Sequence, residues 1–174
     1  APPASTDAKP QALGIDGESH KQALHNHLHT VGIPGSGLSK KPIYPKTNQD
    51  IAEKIVEHDG LLLSEVEPNQ EAAPWTFPAR NRLMAALADA VLIVEASKKS
   101  GTMITARLAL EYNKEILAVP GNIFSESSEG ANHLIAQGAK VVTCAEDVLE
   151  VFGIKSKNLD EVETSDLSEF EKKV

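Results

Sequence analysis

The sequence predicts an α/β protein, a Rossmann-like three-layer αβα arrangement around a mostly parallel sheet of about five strands. Three observations predict it. The strands read as short, continuous apolar runs, the pattern of strands buried on both faces. Helical patterns of roughly ten residues separate them, which is the rhythm of right-handed crossovers between parallel strands. The segments that follow the strands are rich in Gly, Pro, Ser and Asn, as expected of loops that turn a strand into a helix.

Each element has its own signal. "GESHKQALHNHL" has a helical pattern, with Asp16 as its expected N-cap. "HTVGIP" reads as a short strand running into "GSG". "NQDIAEKIVEH" puts Ile51, Ile55 and Val56 on one helical face and offers Asn48 as a cap, delivered by a turn at Tyr44-Pro45. "GLLLSEV" is the next strand. "ARNRLMAALAD" is helical, with Leu83, Met84, Leu87 and Ala88 on one side. "AVLIVEA" is the clearest buried strand, followed by the helix "TMITARLALEYN" and the strand "EILAVP". "ANHLIAQG" is a helix closed by Gly138, "KVVTC" a last strand, and "AEDVLEVFG" a helix closed by Gly153. No internal repeat is visible. Residues 1–12 read as a flexible lead-in, 13–153 as the folded domain, and 154–174 as an acidic linker or tail.

The 174 residues, 41% of them hydrophobic, suffice for one sizeable core. The net charge of −8 argues against a surface that coats nucleic acid through bulk charge, while leaving room for a local basic site. The single cysteine, Cys144, has no partner for an internal disulfide and no neighbouring thiol for a metal. It reads as a small residue near a strand end in a reducing compartment. No apolar run approaches the roughly 18 residues of a membrane span, and the first residues lack the apolar core of a signal peptide. These features lead to the expectation of a cytoplasmic protein.

Function is expected at one edge. In doubly wound sheets ligands bind outside the carboxyl ends of the strands. That places "GSGLSKKPIYP", "SEVEPNQEAAPWTFP", "EASKKSGT" and "PGNIFSESSEGAN" together. The loop 95–102 leads straight into a helix, where unpaired amides and the helix dipole favour an anion. Gly101 permits close approach, and Lys98 and Lys99 add charge. The bland alternative is a capped helix with two solvated lysines. Neither a Walker loop nor G-x-G-x-x-G is present, because "GIPGSGL" has the wrong spacing. Asp16 and His20, four apart, share one side of a helix; a metal or acid–base pair competes with a cap and a hydrogen-bonded histidine. His25, His27 and His29 lie in a polar stretch without the carboxylates a metal site needs at useful spacing. Trp75, in a Pro-rich loop, reads as cover for the core.

The segment "TFPARNRLMAALADAVLIVEASKKSGTMITARLALEYNKEILAVPG" resembles the DprA/Smf family of bacterial DNA-processing proteins. It is similar to that family's F-P-x-R-N-R, V-E-A, S-G-[ST] and A-V-P-G pattern. "GIDGESHKQAL", "GSGLSKKPIYPKTN", "GLLLSEVEP" and "SEGANHLIAQGAKVV" resemble further family motifs, with Ser19 where Ala is usual and Ser39 where Asp is usual. The resemblance covers residues 13–151. It implies a Rossmann domain that binds single-stranded DNA, loads the RecA recombinase during natural transformation, forms a homodimer, needs no cofactor and is not an enzyme. The chemistry of a strand of phosphates and base faces then assigns roles. Arg80, Arg82, Lys98 and Lys99 are candidates for phosphates, Ser100, Gly101 and Thr102 for the helix start, Phe77 for stacking, and Asn81 for a base or phosphate. Against this, Phe77 also reads as packing. Two arginines two apart point in different directions, so one is expected to pair internally with Glu65 or Glu95.

The resemblance also implies strands ahead of Leu13 that are not matched here, hence an incomplete amino-terminal side and an apolar sheet edge. The carboxyl-terminal winged-helix-like domain common in the family has no counterpart either. A rival resemblance is to LOG-type nucleotide phosphoribohydrolases. Asn81 stands where their R-K-x-x-M segment has Lys, and the helix after "SKKSGT" lacks their glutamate. A third reading is a structural interaction module without DNA binding.

Overall fold

Residues 14–39 and 49–154 are described by the computed structural model. Asn48, Tyr44 and Pro45, with the cap and turn expected of them, lie outside the described residues. The chain divides into a unit of residues 1–141 and a smaller unit from residue 142 on.

In the first unit the elements run α1 (Ile15–His25), β1 (Val31–Gly32), α2 (Gln49–Glu57), β2 (Leu61–Leu62), α3 (Thr76–Leu87), β3 (Ala90–Ile93), α4 (Gly101–Glu111), β4 (Glu115–Ala118), a 3-10 turn at Glu126–Ser128, α5 (Glu129–Ala136) and β5 (Lys140–Val141). All five expected strands form, and every pairing is parallel. The sheet, however, comes in two pieces: β1 pairs with β2, and β3, β4 and β5 pair in that order. Val31 stands opposite Leu61, and Val91 and Leu92 stand opposite Ile116 and Leu117.

The core belongs to the three-stranded piece. Ile93, Ile116, Ala118, Ala85, Ala106, Ala109, Ala131 and Leu134 form one buried cluster. Five of these are alanines with no measurable exposure or nearly none. Small side chains let α3 lie close to α4, and α4 and α5 close to the strands, so the packing is tight without large aromatics.

Helix ends follow a shared rule. After α1, α2, α4 and α5 one residue takes a left-handed conformation: His27, Asp59, Asn113 and Gly138. The next amide then reaches back five residues, as in Gly60 N to Ile55 O at 2.8 Å and Ala139 N to Leu134 O at 3.0 Å. This is the Schellman closure. Gly138 was legible as such a stop. The other three are side-chain-bearing residues, where the conformation is less favourable.

Three expectations about faces need correction. Asp16 is not the N-cap of α1; Gly14 holds that position, and Asp16 lies in the first turn. In α2 the buried face is Ile51, Ala52 and Ile55, while Val56 is exposed. In α3, Asn81 and Ala85 are buried and Leu87 is 61% exposed. The stripe turned out to be shifted because the partner of α3 is α4, which admits small residues. Trp75 does not cover the core; it is 63% exposed just ahead of α3.

The second unit holds α6 (Ala145–Val151), closed by Gly153 in the left-handed region as expected. Asp147 Oδ2 accepts bonds from Thr143 N at 2.6 Å, Thr143 Oγ1 at 2.9 Å and Cys144 N at 3.1 Å. These bonds hold the Asp147 carboxyl down at about 2, the Thr143 backbone amide contributing most. Cys144 is exposed.

Candidate nucleic-acid interface

The loops that follow the strands are knitted together in pairs. The "GSG" turn after β1 lies along the loop after β2: Gly37 N donates to Gln70 O and Ser39 N to Pro68 O, both at 2.9 Å. A Cβ on Gly37 would fall 2.1 Å from Glu67 O, so only glycine permits this approach. Ser64 Oγ fastens the same junction through Ser36 O at 2.8 Å. Likewise the loop after β3 is tied to the loop after β4, Ala96 N to Ser127 O at 2.8 Å and Gly130 N to Ala96 O at 2.7 Å.

A relay from α3 joins the two pairs. Arg80 Nη1 donates to Ile33 O at 2.6 Å, just past β1. Arg80 Nε donates to Asn81 Oδ1 at 3.1 Å. Asn81 Nδ2 reaches Gly101 O at 3.4 Å, where α4 begins. Arg80 also sits 5.9 Å from the centre of the Phe77 ring. Phe77 in turn is half-buried, and a Cβ on Gly35 would come within 2.9 Å of its Cδ1. Burial lowers the Arg80 pKa to about 10, with Asp16 acting in the opposite direction. The Asp16 carboxyl is itself raised by loss of water, an effect opposed by Arg80 and then by His20. His20 is lowered by burial, opposed by Asp16, and its Nδ1 lies 2.7 Å from Thr30 Oγ1. The Asp16–His20 side expected from their spacing is therefore real. His20 is a hydrogen-bonded histidine there. Among the described residues no group of three or more His, Cys, Asp or Glu is arranged to hold a metal ion.

The start of α4 is different in character. Ser100, in extended conformation, caps it: its Oγ accepts from Thr102 N at 3.2 Å and donates to Thr102 Oγ1 at 3.1 Å. Gly101 faces open space, with no atom within 4 Å of where a Cβ would be. Lys98 and Lys99 are exposed and make no ion pair among the described residues. Arg82 pairs with Glu65, as one arginine was expected to do.

The nine residues singled out in the sequence thus fall into three groups. Phe77, Arg80 and Asn81 form the internal relay. Lys98, Lys99, Ser100, Gly101 and Thr102 form an open, cationic helix start that the relay touches through Gly101. Arg82 is engaged on the α3 surface with Glu65. One feature escaped sequence reasoning. Phe124 is 91% exposed and Ile123 76% exposed in the loop after β4. That loop is pinned: Asn132 bonds both Gly121 N and Gly121 O at 3.1 and 3.0 Å, and Asn122 Oδ1 accepts from Phe124 N at 2.9 Å. The Asn two residues ahead of the ring is the spacing of an Asx turn, which was the available signal.

Comparison with known proteins identifies the family. The model of the family DNA recombination-mediator protein A matches residues 11–153. DNA processing protein DprA of Streptococcus pneumoniae is 41% identical over 141 residues, covering 81% of this chain and 49% of its own length. Protein Smf of Escherichia coli is 41% identical over 139 residues, covering 80% of this chain and 37% of its own length. The chain thus spans half or less of the curated relatives it matches. Among solved structures, the S. pneumoniae DNA processing protein A superposes with a TM-score of 0.72 at 36% identity, over 84% of this chain and 55% of the other. That of Helicobacter pylori, described for its unique single-stranded DNA binding mode, superposes with a TM-score of 0.65 at 26% identity, over 87% and 75%. With this match in sequence and in fold, the chain belongs to the DNA recombination-mediator protein A family, the DprA/Smf proteins.

Proposed function

We propose that this chain binds single-stranded DNA along the carboxyl edge of its strands, with backbone phosphates at the start of α4. The observation that carries the reading is a difference between two helix starts on that edge. At α5 the glycine is sealed: Gly130 N is spent on Ala96 O, and Glu126 and Glu129 flank it. At α4 the glycine is open and the flanking charges are Lys98 and Lys99. Only the second suits a phosphate.

The roles then divide. Lys98 and Lys99 supply charge, Gly101 the close approach, and Ser100 and Thr102 hydroxyls. Arg80 and Asn81 hold the helix start in place, with Phe77 beneath Arg80. Arg82 meets DNA only by exchanging Glu65 for a phosphate. Phe124, exposed on a pinned loop of the same edge, is offered as the stacking ring. In this reading the partners are RecA recombinase and a second copy of the chain, and the protein acts on DNA in the cytoplasm without catalysing a reaction.

The test is fluorescence anisotropy with labelled oligo-dT over a range of salt. Phosphate contacts make log affinity fall with log salt by about 0.7 for each contact on a single strand. Replacing Lys98 and Lys99 together by Ala should weaken binding several-fold and flatten the slope by about 1.4. An unchanged affinity and slope would remove the site. Release of free base from a nucleoside monophosphate would favour the LOG-type alternative.

A further inference from the structure

We propose that the cavity between the loop after β2 and the start of α3 is a nucleobase pocket, in which the Trp75 indole stacks one base of a bound single strand and Glu67 and Gln70 favour a base with an exocyclic amino group. The inference rests on the single-strand reading above and adds to it a base subsite with its own selectivity.

Trp75 is the starting observation. The chain's one tryptophan is 63% exposed, although tryptophan is on average a well-buried residue. Its backbone is nevertheless held firmly. The turn that carries it is closed by the buried Thr76, whose N and Oγ1 donate to Ala73 O at 2.9 and 2.8 Å and whose Oγ1 accepts from Ala73 N at 3.1 Å. A second turn is fixed in the same way: Gln70 N donates to Glu67 O and Gln70 O accepts from Gly37 N, both at 2.9 Å. Both turns line one cavity of about 220 Å³. A site on fixed backbone loses little freedom when a guest arrives.

Size and charge select the guest. The volume lies below the roughly 300–1,000 Å³ of sites for drug-sized ligands, so a single ring system fits. Pro34, Val66, Ala79 and Leu83 add apolar lining to the indole, which suits a flat group. Glu65 and Glu67 on the wall disfavour a phosphate, and the Arg80 guanidinium beside them disfavours a free cation. Of the parts of a DNA strand, only a base is flat and uncharged.

Hydrogen bonding narrows the choice of base. Glu65 is engaged by Arg82. Among the described residues the Glu67 carboxylate and the Gln70 side-chain amide have no partner. An ionised carboxylate only accepts, so it calls for a donor such as the amino group of cytosine. The Gln70 amide both donates and accepts, which matches an amino group and the ring acceptor beside it. Thymine has no amino group and presents a carbonyl oxygen where cytosine has one. The pocket also lies close to the helix start proposed for phosphates. Arg80 lines it, and the next residue, Asn81, reaches Gly101 O at the start of α4.

The test uses the 174-residue chain and the emission of Trp75, which no other tryptophan obscures. The probes are deoxycytidine, thymidine, and oligo-dC and oligo-dT of equal length. Deoxycytidine should quench saturably and at least threefold more tightly than thymidine. Oligo-dC should quench in step with its anisotropy signal. Trp75→Ala removes an exposed side chain and should weaken oligo-dC binding at least fivefold. It should leave the salt slope unchanged, because no phosphate contact is lost. Glu67→Gln should keep the quenching and bring the two nucleosides within twofold of each other. Quenching that rises linearly without saturation, or full oligo-dC affinity in Trp75→Ala, would overturn the proposal. The two sites are separable. Saturable deoxycytidine binding without oligonucleotide binding would keep the pocket and remove the phosphate site. Salt-dependent oligonucleotide binding with unchanged Trp75 emission would do the reverse.

Discussion

The two pieces of the sheet are built from similar residues and end differently. The β3–β4–β5 piece is closed at its centre: Leu117, Ile93 and Ala118 are at most 2% exposed beneath helices, while Leu92 at 43% and Val141 at 40% stay exposed on its outer strands. The β1–β2 piece is open: Val31 and Leu61 are about half exposed and face a cavity. The difference teaches that an apolar strand pattern fixes how a segment will pair, while burial depends on whether neighbours arrive on both sides.

The sharpest way to break this comparison is to truncate one leucine in each half. Leu117→Ala, in the closed half, should destabilise the chain by about 2–5 kcal/mol in urea titrations. Leu87→Ala, on the open cavity wall, should change stability by less than about 0.5 kcal/mol. Equal losses would mean that the open half is packed after all. A second contrast uses the two glycines. In Gly130→Ala the new Cβ would sit 2.6 Å from Ala96 O, a backbone atom that cannot step aside. A loss of about 1–3 kcal/mol is expected. Gly101→Ala meets no atom and should be neutral or stabilising by up to about 1 kcal/mol, read from the shift in Tm.

The smallest effect concerns helix starts. Ser100 caps α4 with a hydroxyl, whereas Asp147 bonds Thr143 and Cys144 ahead of α6 with a carboxylate. The Asp147 pKa is lowered from 3.8 to about 2 in the fold. Its contribution is therefore complete above pH 3.8 and is lost as pH falls through about 2. Amide exchange followed by NMR should show α6 loosening over that window before α4 does. Loosening of both together would show that the carboxylate is not what distinguishes them.

Much of this was legible in the residues. Strands such as "AVLIV" and "EILAV" carry their own apolar signature, and Gly138 and Gly153 mark helix ends because glycine accepts the left-handed conformation without strain. Ser100 at a helix start is a local event between neighbours three residues apart or fewer. What could not be read was anything that depends on distant partners. Arg80 looked like a phosphate ligand because arginine usually is one at such an edge. Its guanidinium donates to Ile33 O, 47 residues away in sequence, and to Asn81, contacts that no local pattern announces. Trp75 looked like core because tryptophan is mostly buried, yet the loop around it leaves it outside.

By itself, then, the sequence determined the order and type of the elements, the parallel sense of the strands, the family, and the cationic loop ahead of α4. All of these follow from short-range periodicity, capping and turn chemistry. Only the tertiary structure decided which cations face outward, that the sheet is split beside β1, and that Phe124 stands clear of the fold. Those outcomes are set by contacts between segments tens of residues apart, where many arrangements satisfy the same local pattern and packing selects one.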